Sequence, residues 1–401
     1  MLINNELDIN QLIKNISLDV KPKTIFNPIV IEFLEKLRIE IKKNVNAKEF
    51  PDIVALSFFL RKKNIFNFNK RYPSNITKIG LGIAFHITPS NMPINFFYSY
   101  LFGLISGNVN IVRIPNKDFI QIKILLDILN KIFKIKKYKT IKSMSYFIRY
   151  NKNSKFTESI SKVCNIRIIW GGDKTIEEIR KYSIQAQTRE ITFSDKYSVC
   201  LLNSNEILSA DSNKMKILTN NFYNDGYLID QNACSSPHLI IWVGEKNISK
   251  AKEKFWGNVE KLALLKYDMP EVAVIDKYTQ YCKDAINLDL KNKSNKSNKS
   301  NILYHIELKT VPKNISELRG KWGYFYELNS KNINILKDLI TNNFQTITYF
   351  GFKKEIIKQL IVDNGILGVD RIVPVGYAHV MGEIWDGYDM ISSLSKTIDC
   401  Y

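Results

Sequence analysis

The stretch IGLGIAFHITPSNMPINFFYSYLFGLISGNVNIVRIP (Ile79–Pro115) decides the fold class. Ile79–Thr88 has the apolar, β-branched content of a strand, and Gly80 and Gly82 allow another backbone to approach closely. Pro93 suits the first turn of a helix. The following Ile94–Ser106 carries no charge, as expected of a helix buried on all sides. Gly107-Asn108 ends it, and Val109–Pro115 reads as the next strand, with Arg113 near its end. A strand, a helix of this length and a second strand make a parallel crossover.

The same alternation extends in both directions. Asp118–Phe133 is an amphipathic helix, and Ile166–Trp170 is a strand running into Gly171-Gly172-Asp173. Lys174–Tyr182 follows as a helix with Asp173 as its expected N-cap. A strand, a glycine turn and a helix N-terminus suit a phosphate, although Gly-Gly alone serves equally as a tight turn. Strands at Tyr197–Leu202 and Leu239–Val243 alternate with helices at Met215–Tyr223 and Ile248–Lys266. Upstream, Ile29–Ile41 has helical spacing, and Pro51 precedes the apolar Ile53–Leu60. Asn292–Asn301 repeats Lys-Ser-Asn without an apolar residue and reads as a surface insertion. Gly368–Leu394 crowds Arg371, Gly376, His379, Glu383 and Trp385 into a short span, which fits a loop near a site or an interface.

With 401 residues and 45% hydrophobic content, the chain can build two or three cored domains. Its five cysteines (Cys164, Cys200, Cys234, Cys282, Cys400) are scattered and never form CxxC, which argues against a disulfide framework or zinc cluster and suits a reducing cytoplasm. Met1–Asn10 lacks an apolar core for a signal peptide. Phe96–Ile105 falls well short of the roughly twenty residues of a membrane helix, so no membrane span is expected. The net charge of +19 is spread along the chain. It reads as a solvated basic surface able to attract anionic substrates rather than as a nucleic-acid footprint.

The chemistry is placed at Asp230-Gln-Asn-Ala-Cys-Ser-Ser-Pro237. Cys234 stands among small or uncharged residues, where an acyl carbon can approach a sulfur nucleophile. On local spacing alone, an inert buried thiol is the plainer reading.

Three segments together resemble the aldehyde dehydrogenase superfamily: Ile87-Thr-Pro-Ser-Asn-Met-Pro93 with Gly107-Asn108, Trp170-Gly-Gly-Asp173, and Asp230–Pro237. With Gly368–Pro374 and Trp385-Asp-Gly387, the chain is more narrowly similar to the acyl-CoA reductase branch, the long-chain fatty acid reductases of LuxC type, from about residue 75 onward. The resemblance implies an α/β, aldehyde dehydrogenase-like fold with a Rossmann-type cofactor domain and an α/β catalytic domain. Expected boundaries are an N-terminal helical segment at 1–75 packing on the cofactor domain, an NADP-binding domain at 76–204 and a catalytic domain at 205–350. Residues 351–401 would return to the cofactor domain or to an oligomer interface.

The resemblance also assigns roles. Cys234 is the nucleophile, and Asn91 holds the oxyanion together with a backbone N–H. Thr88, Pro89, Ser90, Arg113, Gly171, Gly172, Asp173 and Thr192 bind the cofactor. An arginine at position 113, where relatives carry a lysine near the adenosine ribose, favours the 2′-phosphate of NADPH. Asp173 stands where relatives usually have Ser, and an acid there opposes a diphosphate unless it serves the helix backbone. Relatives that oxidise aldehydes carry Glu-Leu-Gly-Gly-Lys; here the stretch is Thr192-Phe-Ser-Asp-Lys196, with Thr at the water-activating glutamate. Reduction of an acyl-CoA or acyl-protein thioester is therefore expected, with an acyl-protein synthetase as a donor partner and a homo-oligomeric assembly. The competing readings are aldehyde oxidation with Glu190 as a displaced base and, lower, a non-catalytic basic binding protein.

Overall fold

The computed structural model describes residues 2–4, 13–14, 21–73, 75–89, 92–151, 155–291 and 300–399. The chain forms two units, Met1–Ser194 with Met381–Tyr401, and Asp195–Val380.

In the first unit, short apolar segments pair in parallel into a six-stranded sheet. The order is Leu2–Asn4, Ser145–Arg149, Val109–Arg113, Ile83–Ile87, Ile166–Trp170 and Arg189–Phe193. Phe85 lies in register with Ile111 on one side and Arg167 on the other. Helix Asn95–Ile105 is buried from Phe96 to Ile105, as its lack of charge requires, whereas Ile120–Phe133 buries a stripe that includes Leu125, Leu129 and Ile132. His86, fully buried, bonds Ser99 Oγ (2.7 Å) through Nδ1 and Asn110 Oδ1 (3.0 Å) through Nε2, and burial draws its pKa down to about 4. Helix Pro28–Lys43, begun by the Asn27 side chain accepting the Ile29 N–H and by Pro28 at its first position, adds Phe33 and Leu37 to this core. Helices Pro51–Phe59 and Lys62–Asn69 add Leu56 and Ile65.

The strand expected over Ile79–Thr88 is divided into Thr77–Gly80 and Ile83–Ile87. Gly82 turns the chain between them at φ +128°, a backbone open to glycine. Thr77–Gly80 pairs antiparallel with Ser395–Ile398, so the chain re-enters this unit from Met381.

The second unit is also a six-stranded parallel sheet, in the order Tyr304–Glu307, Tyr324–Ser330, Pro237–Val243, Tyr197–Asn203, Phe344–Phe350 and Arg371–Pro374. Both faces are covered, so its strands are apolar on both sides. Val199, Leu201, Leu239 and Ile241 face one core, while Cys200, Leu202, Ile240 and Trp242 face the other, against helices Ser212–Gly226 and Ile248–Lys266. Glu327, 1% exposed in the strand Tyr324–Ser330, accepts the indole N–H groups of Trp242 (2.7 Å) and Trp256 (2.6 Å). Burial would raise its pKa, but Lys252 and His305 outweigh that and bring it to about 2.

Three sequence expectations change. The boundary after residue 204 falls beyond Tyr197–Asn203, a strand whose partners, Pro237–Val243 and Phe344–Phe350, both lie in the second unit. Residues 351–380, including the strand Arg371–Pro374, belong to the second unit as well. Asp173 is the first residue of its helix, and the cap is Gly172, whose extended backbone (φ −64°, ψ 161°) precedes it. Residues 292–299 of the Lys-Ser-Asn insertion lie outside the described residues. Among the described residues, no helix is long and apolar enough to cross a membrane, and no group of three or more His, Cys, Asp or Glu residues could hold a metal.

Candidate active site

From Ile83–Ile87 the chain steps one way to Val109–Arg113 and Ser145–Arg149, then returns to Ile166–Trp170 on the other side. This reversal makes a topological switch point between Ile83–Ile87 and Ile166–Trp170, and open α/β sheets take dinucleotides outside the carboxyl ends of the strands at such a point. Thr88 and Pro89 follow the first of these strands, and Gly171, Gly172 and Asp173 follow the second. Thr88, buried, donates its hydroxyl to the Arg113 carbonyl, tying this turn to the end of the neighbouring strand. The Arg113 guanidinium lies 4.9 Å from the Tyr150 ring centre, and its buried Nε has no hydrogen-bond partner among the described residues.

The Gly171 N–H donates to the Phe193 carbonyl (3.1 Å). A Cβ at Gly171 would stand 3.1 Å from the Thr175 side chain, so glycine is what lets helix Asp173–Arg180 start directly against the strand end. Asp173 is exposed in the first helical turn, where its charge favours the helix dipole rather than an incoming anion. Thr192 lies opposite Ile169 near the end of the next strand. Ser90 and Asn91 lie outside the described residues.

Glu190 is engaged elsewhere. Its carboxylate accepts Nε of Arg167 (2.8 Å), a guanidinium 1% exposed, and Nε of Arg180 (2.7 Å). Burial alone would raise its pKa, but these two arginines bring it below the ordinary carboxylate value. Glu190 is a structural anion rather than a free base.

In the second unit, the Cys234 turn joins helix Ser212–Gly226 to strand Pro237–Val243. Asp230 (φ 55°) and Gln231 (φ 61°) take the left-handed conformation, which non-glycine residues adopt when other bonds hold them there. Asp230 Oδ1 accepts the Tyr267 hydroxyl (2.6 Å), and its carbonyl accepts the Trp322 N–H (3.2 Å). Gln231, buried, donates to the carbonyls of Pro237 and Tyr324 (3.0 Å each) and accepts the Tyr324 N–H (3.2 Å). Ser198 donates its hydroxyl to the Cys234 carbonyl (2.7 Å) and accepts the Thr346 N–H (3.1 Å). Ser235 Oγ lies 3.0 Å from His379 Nδ1.

Cys234 itself is half-buried. By contrast, Cys164 and Cys200 are fully buried, and burial pushes their thiols up, Cys164 to about 12. Cys282, also half-buried, rides on helix Glu271–Asn287 with no comparable framework in the sequence around it. A partly accessible thiol on a turn held through backbone and side chains is what a nucleophile requires.

The structure thus gathers Thr88, Pro89, Arg113, Gly171, Gly172, Asp173 and Thr192 at the carboxyl ends of the strands of one sheet, and sets Cys234 on a fixed turn of the other unit. No role was read from the sequence for Ser198, Gln231, Asp225 or His379, although Gln231 stood in the Asp230–Pro237 stretch and His379 in Gly368–Leu394.

The sequence profile of the family described as Acyl-CoA reductase (LuxC) matches residues 53–397. A comparison with curated proteins finds no match. Among solved structures, the chain is similar to methylmalonate-semialdehyde dehydrogenase (DddC) from Oceanimonas doudoroffii, with 12% identity, 97% of this chain and 89% of that one covered, and a TM-score of 0.65. Aldehyde dehydrogenase 21 from Physcomitrella patens, solved with the reaction product succinate, gives 12% identity, 97% and 88% coverage and a TM-score of 0.67. Proline utilization A from Corynebacterium freiburgense gives 11% identity and a TM-score of 0.69, with 100% of this chain covering 44% of that one. At these identities the likeness shows the fold, that of aldehyde dehydrogenases. The chain spans less than half the length of the proline utilization A proteins it matches.

Proposed function

We propose, for a chain that belongs to the acyl-CoA reductase (LuxC) family, that it reduces a long-chain fatty acyl thioester, on CoA or on a protein, to the aldehyde through an acyl group held on Cys234. The observation that carries this reading is the half-buried Cys234 on its hydrogen-bonded turn. The sulfur attacks the thioester carbonyl, and the tetrahedral oxyanion accepts the Asn91 amide N–H, a neutral donor suited to a transient charge. Collapse breaks the bond to the leaving thiol, which departs with the proton that Cys234 gave up. The acyl group remains on Cys234 as a thioester.

The switch point of the first unit suits a nicotinamide dinucleotide: a Cβ at Gly171 would crowd the start of the helix at the strand end, and Nε of Arg113 has no hydrogen-bond partner among the described residues. Thr88, Pro89, Ser90, Gly171, Gly172 and Thr192 would hold it, with only the backbone of Asp173 near the diphosphate and Arg113 at the 2′-phosphate of NADPH. When bound, the cofactor supplies the hydride that converts the acyl group to the aldehyde. Thr192 cannot activate water as a carboxylate does, and Glu190 is tied to Arg167 and Arg180. Both features favour survival of the acyl group over its hydrolysis, and so reduction over aldehyde oxidation. A cytoplasmic homo-oligomer receiving acyl groups from CoA or an acyl-protein synthetase is consistent with this reading.

The test is the intact mass of the protein after exposure to a panel of acyl-CoAs without reductant. The wild type is expected to retain one acyl mass, and Cys234→Ala none. Steady formation of acid from aldehyde and NADP without CoA would overturn the proposed direction.

A further inference from the structure

The loop after Arg371 has no role in acyl transfer as described, yet it is built around one imidazole. Arg371 donates from Nη1 to the Ala378 carbonyl (2.9 Å) and from Nη2 to the carbonyls of Val380 (2.8 Å) and Tyr377 (3.3 Å). From the other side, the Asp225 carboxylate, at the end of helix Ser212–Gly226 and 1% exposed, accepts the N–H groups of Gly376 (2.6 Å) and Ala378 (3.0 Å). Gly376 sits at φ +100°, and a Cβ there would come within 2.6 Å of Asn221, so a glycine is needed for the loop to close against the helix.

These ties fix His379. Its Nε2 lies 3.1 Å from the Asp225 backbone carbonyl and its Nδ1 3.0 Å from Ser235 Oγ. A carbonyl oxygen can only accept, so Nε2 carries the proton and Nδ1 keeps its lone pair. The Ser235 hydroxyl therefore donates to Nδ1. Burial keeps the ring neutral, so this arrangement holds at neutral pH. Ser235 follows Cys234 directly, and Ser198 holds the Cys234 carbonyl. The nucleophile is bracketed by two serines, one of which answers to His379.

We infer that His379 is a positioning residue: by accepting the hydrogen bond from the Ser235 hydroxyl it fixes the turn in the conformation that presents the Cys234 sulfur. This rests on the reading of Cys234 as the nucleophile. Three variants separate it from a merely structural role. His379→Asn places an amide oxygen near the site of Nδ1 and keeps an acceptor for Ser235. His379→Gln reaches toward the site of Nε2, keeping a donor for Asp225 while withdrawing the acceptor. Ser235→Ala removes the donor.

Two rates are read in the full chain: alkylation of Cys234 by iodoacetamide, followed by peptide mass spectrometry, and acyl uptake from tetradecanoyl-CoA. Both are expected to fall about tenfold in His379→Gln and Ser235→Ala, the effect of one hydrogen bond, and to stay within about twofold of wild type in His379→Asn. NADPH binding and melting temperature serve as controls for the fold. Equal losses in the Asn and Gln variants, or unchanged rates in Gln and Ser235→Ala, would overturn the inference. If the wild type takes up no acyl group, the function reading fails, while the alkylation rates still decide the role of His379.

Discussion

The two sheets are both parallel, six-stranded and covered on both faces, yet they expose candidate chemistry at opposite strand ends. In the first unit the candidate residues follow the carboxyl ends of strands, where helix Asp173–Arg180 begins without a side-chain cap. In the second, Cys234 precedes the amino end of strand Pro237–Val243, and helix Ser212–Gly226 arrives with its carbonyl end. A helix terminus of that sign offers an anion nothing. The amino end is organised instead by side chains: Gln231 of the turn itself, and Ser198 and His379 from farther along the chain. One end is made largely of backbone, the other of side-chain hydrogen bonds.

The largest test of this contrast is to remove the one chemical group of the amino end. Cys234→Ala should abolish acyl uptake while leaving NADPH binding, by fluorescence titration, unchanged. The converse damage is Gly171→Val, where the added methyl groups meet Thr175 across a gap already at 3.1 Å for a Cβ. NADPH affinity should fall more than about tenfold, the cost of an overpacked site, and acylation of Cys234 should persist. A smaller effect is expected from Arg113→Leu: about tenfold weaker NADPH binding, the worth of one charge-assisted contact, with NADH binding little changed. Equal losses for both nucleotides would remove the 2′-phosphate assignment.

The smallest catalytic effect is expected from Glu190→Gln, with reductase turnover within about twofold of wild type and a stability loss of about 2 kcal/mol in urea, because the buried Arg167 loses its charge partner. Its pH signature has a definite sign. The folded pKa of Glu190 is depressed, so its contribution is full above about pH 4.5 and is lost as pH falls through the folded value. The variant should therefore lose less stability than wild type on acidification below about pH 4.5. A drop in turnover comparable to that of Cys234→Ala would instead restore Glu190 as a catalytic base.

What could be read from the sequence follows the same division. The strand–helix–strand layout of the first unit was legible because turns, glycines and a buried helix are local: Gly171 and the uncharged Asn95–Ile105 announce themselves within a few residues. Asp173 was misassigned by one position, because Gly172 supplies the extended backbone that an N-cap residue needs. Strand Tyr324–Ser330 was not assigned, since Glu327 interrupts its apolar run. Only the fold brings Trp242, Trp256 and Lys252 around that carboxylate. The supports of Cys234 were hidden for the same reason. Ser198, Tyr324, Thr346 and His379 are scattered over 182 positions (379 − 198 + 1), and no spacing rule connects them.

The pairing of Ser395–Ile398 with Thr77–Gly80 bears on how the chain is made. During synthesis, Asp195–Val380 emerges as one continuous stretch and can fold on its own schedule, while the earlier unit waits with an open edge for a strand more than three hundred residues downstream. Removing the residues after Met381 should therefore leave a nascent product whose later-made half is native and whose earlier-made half invites chaperones and proteases.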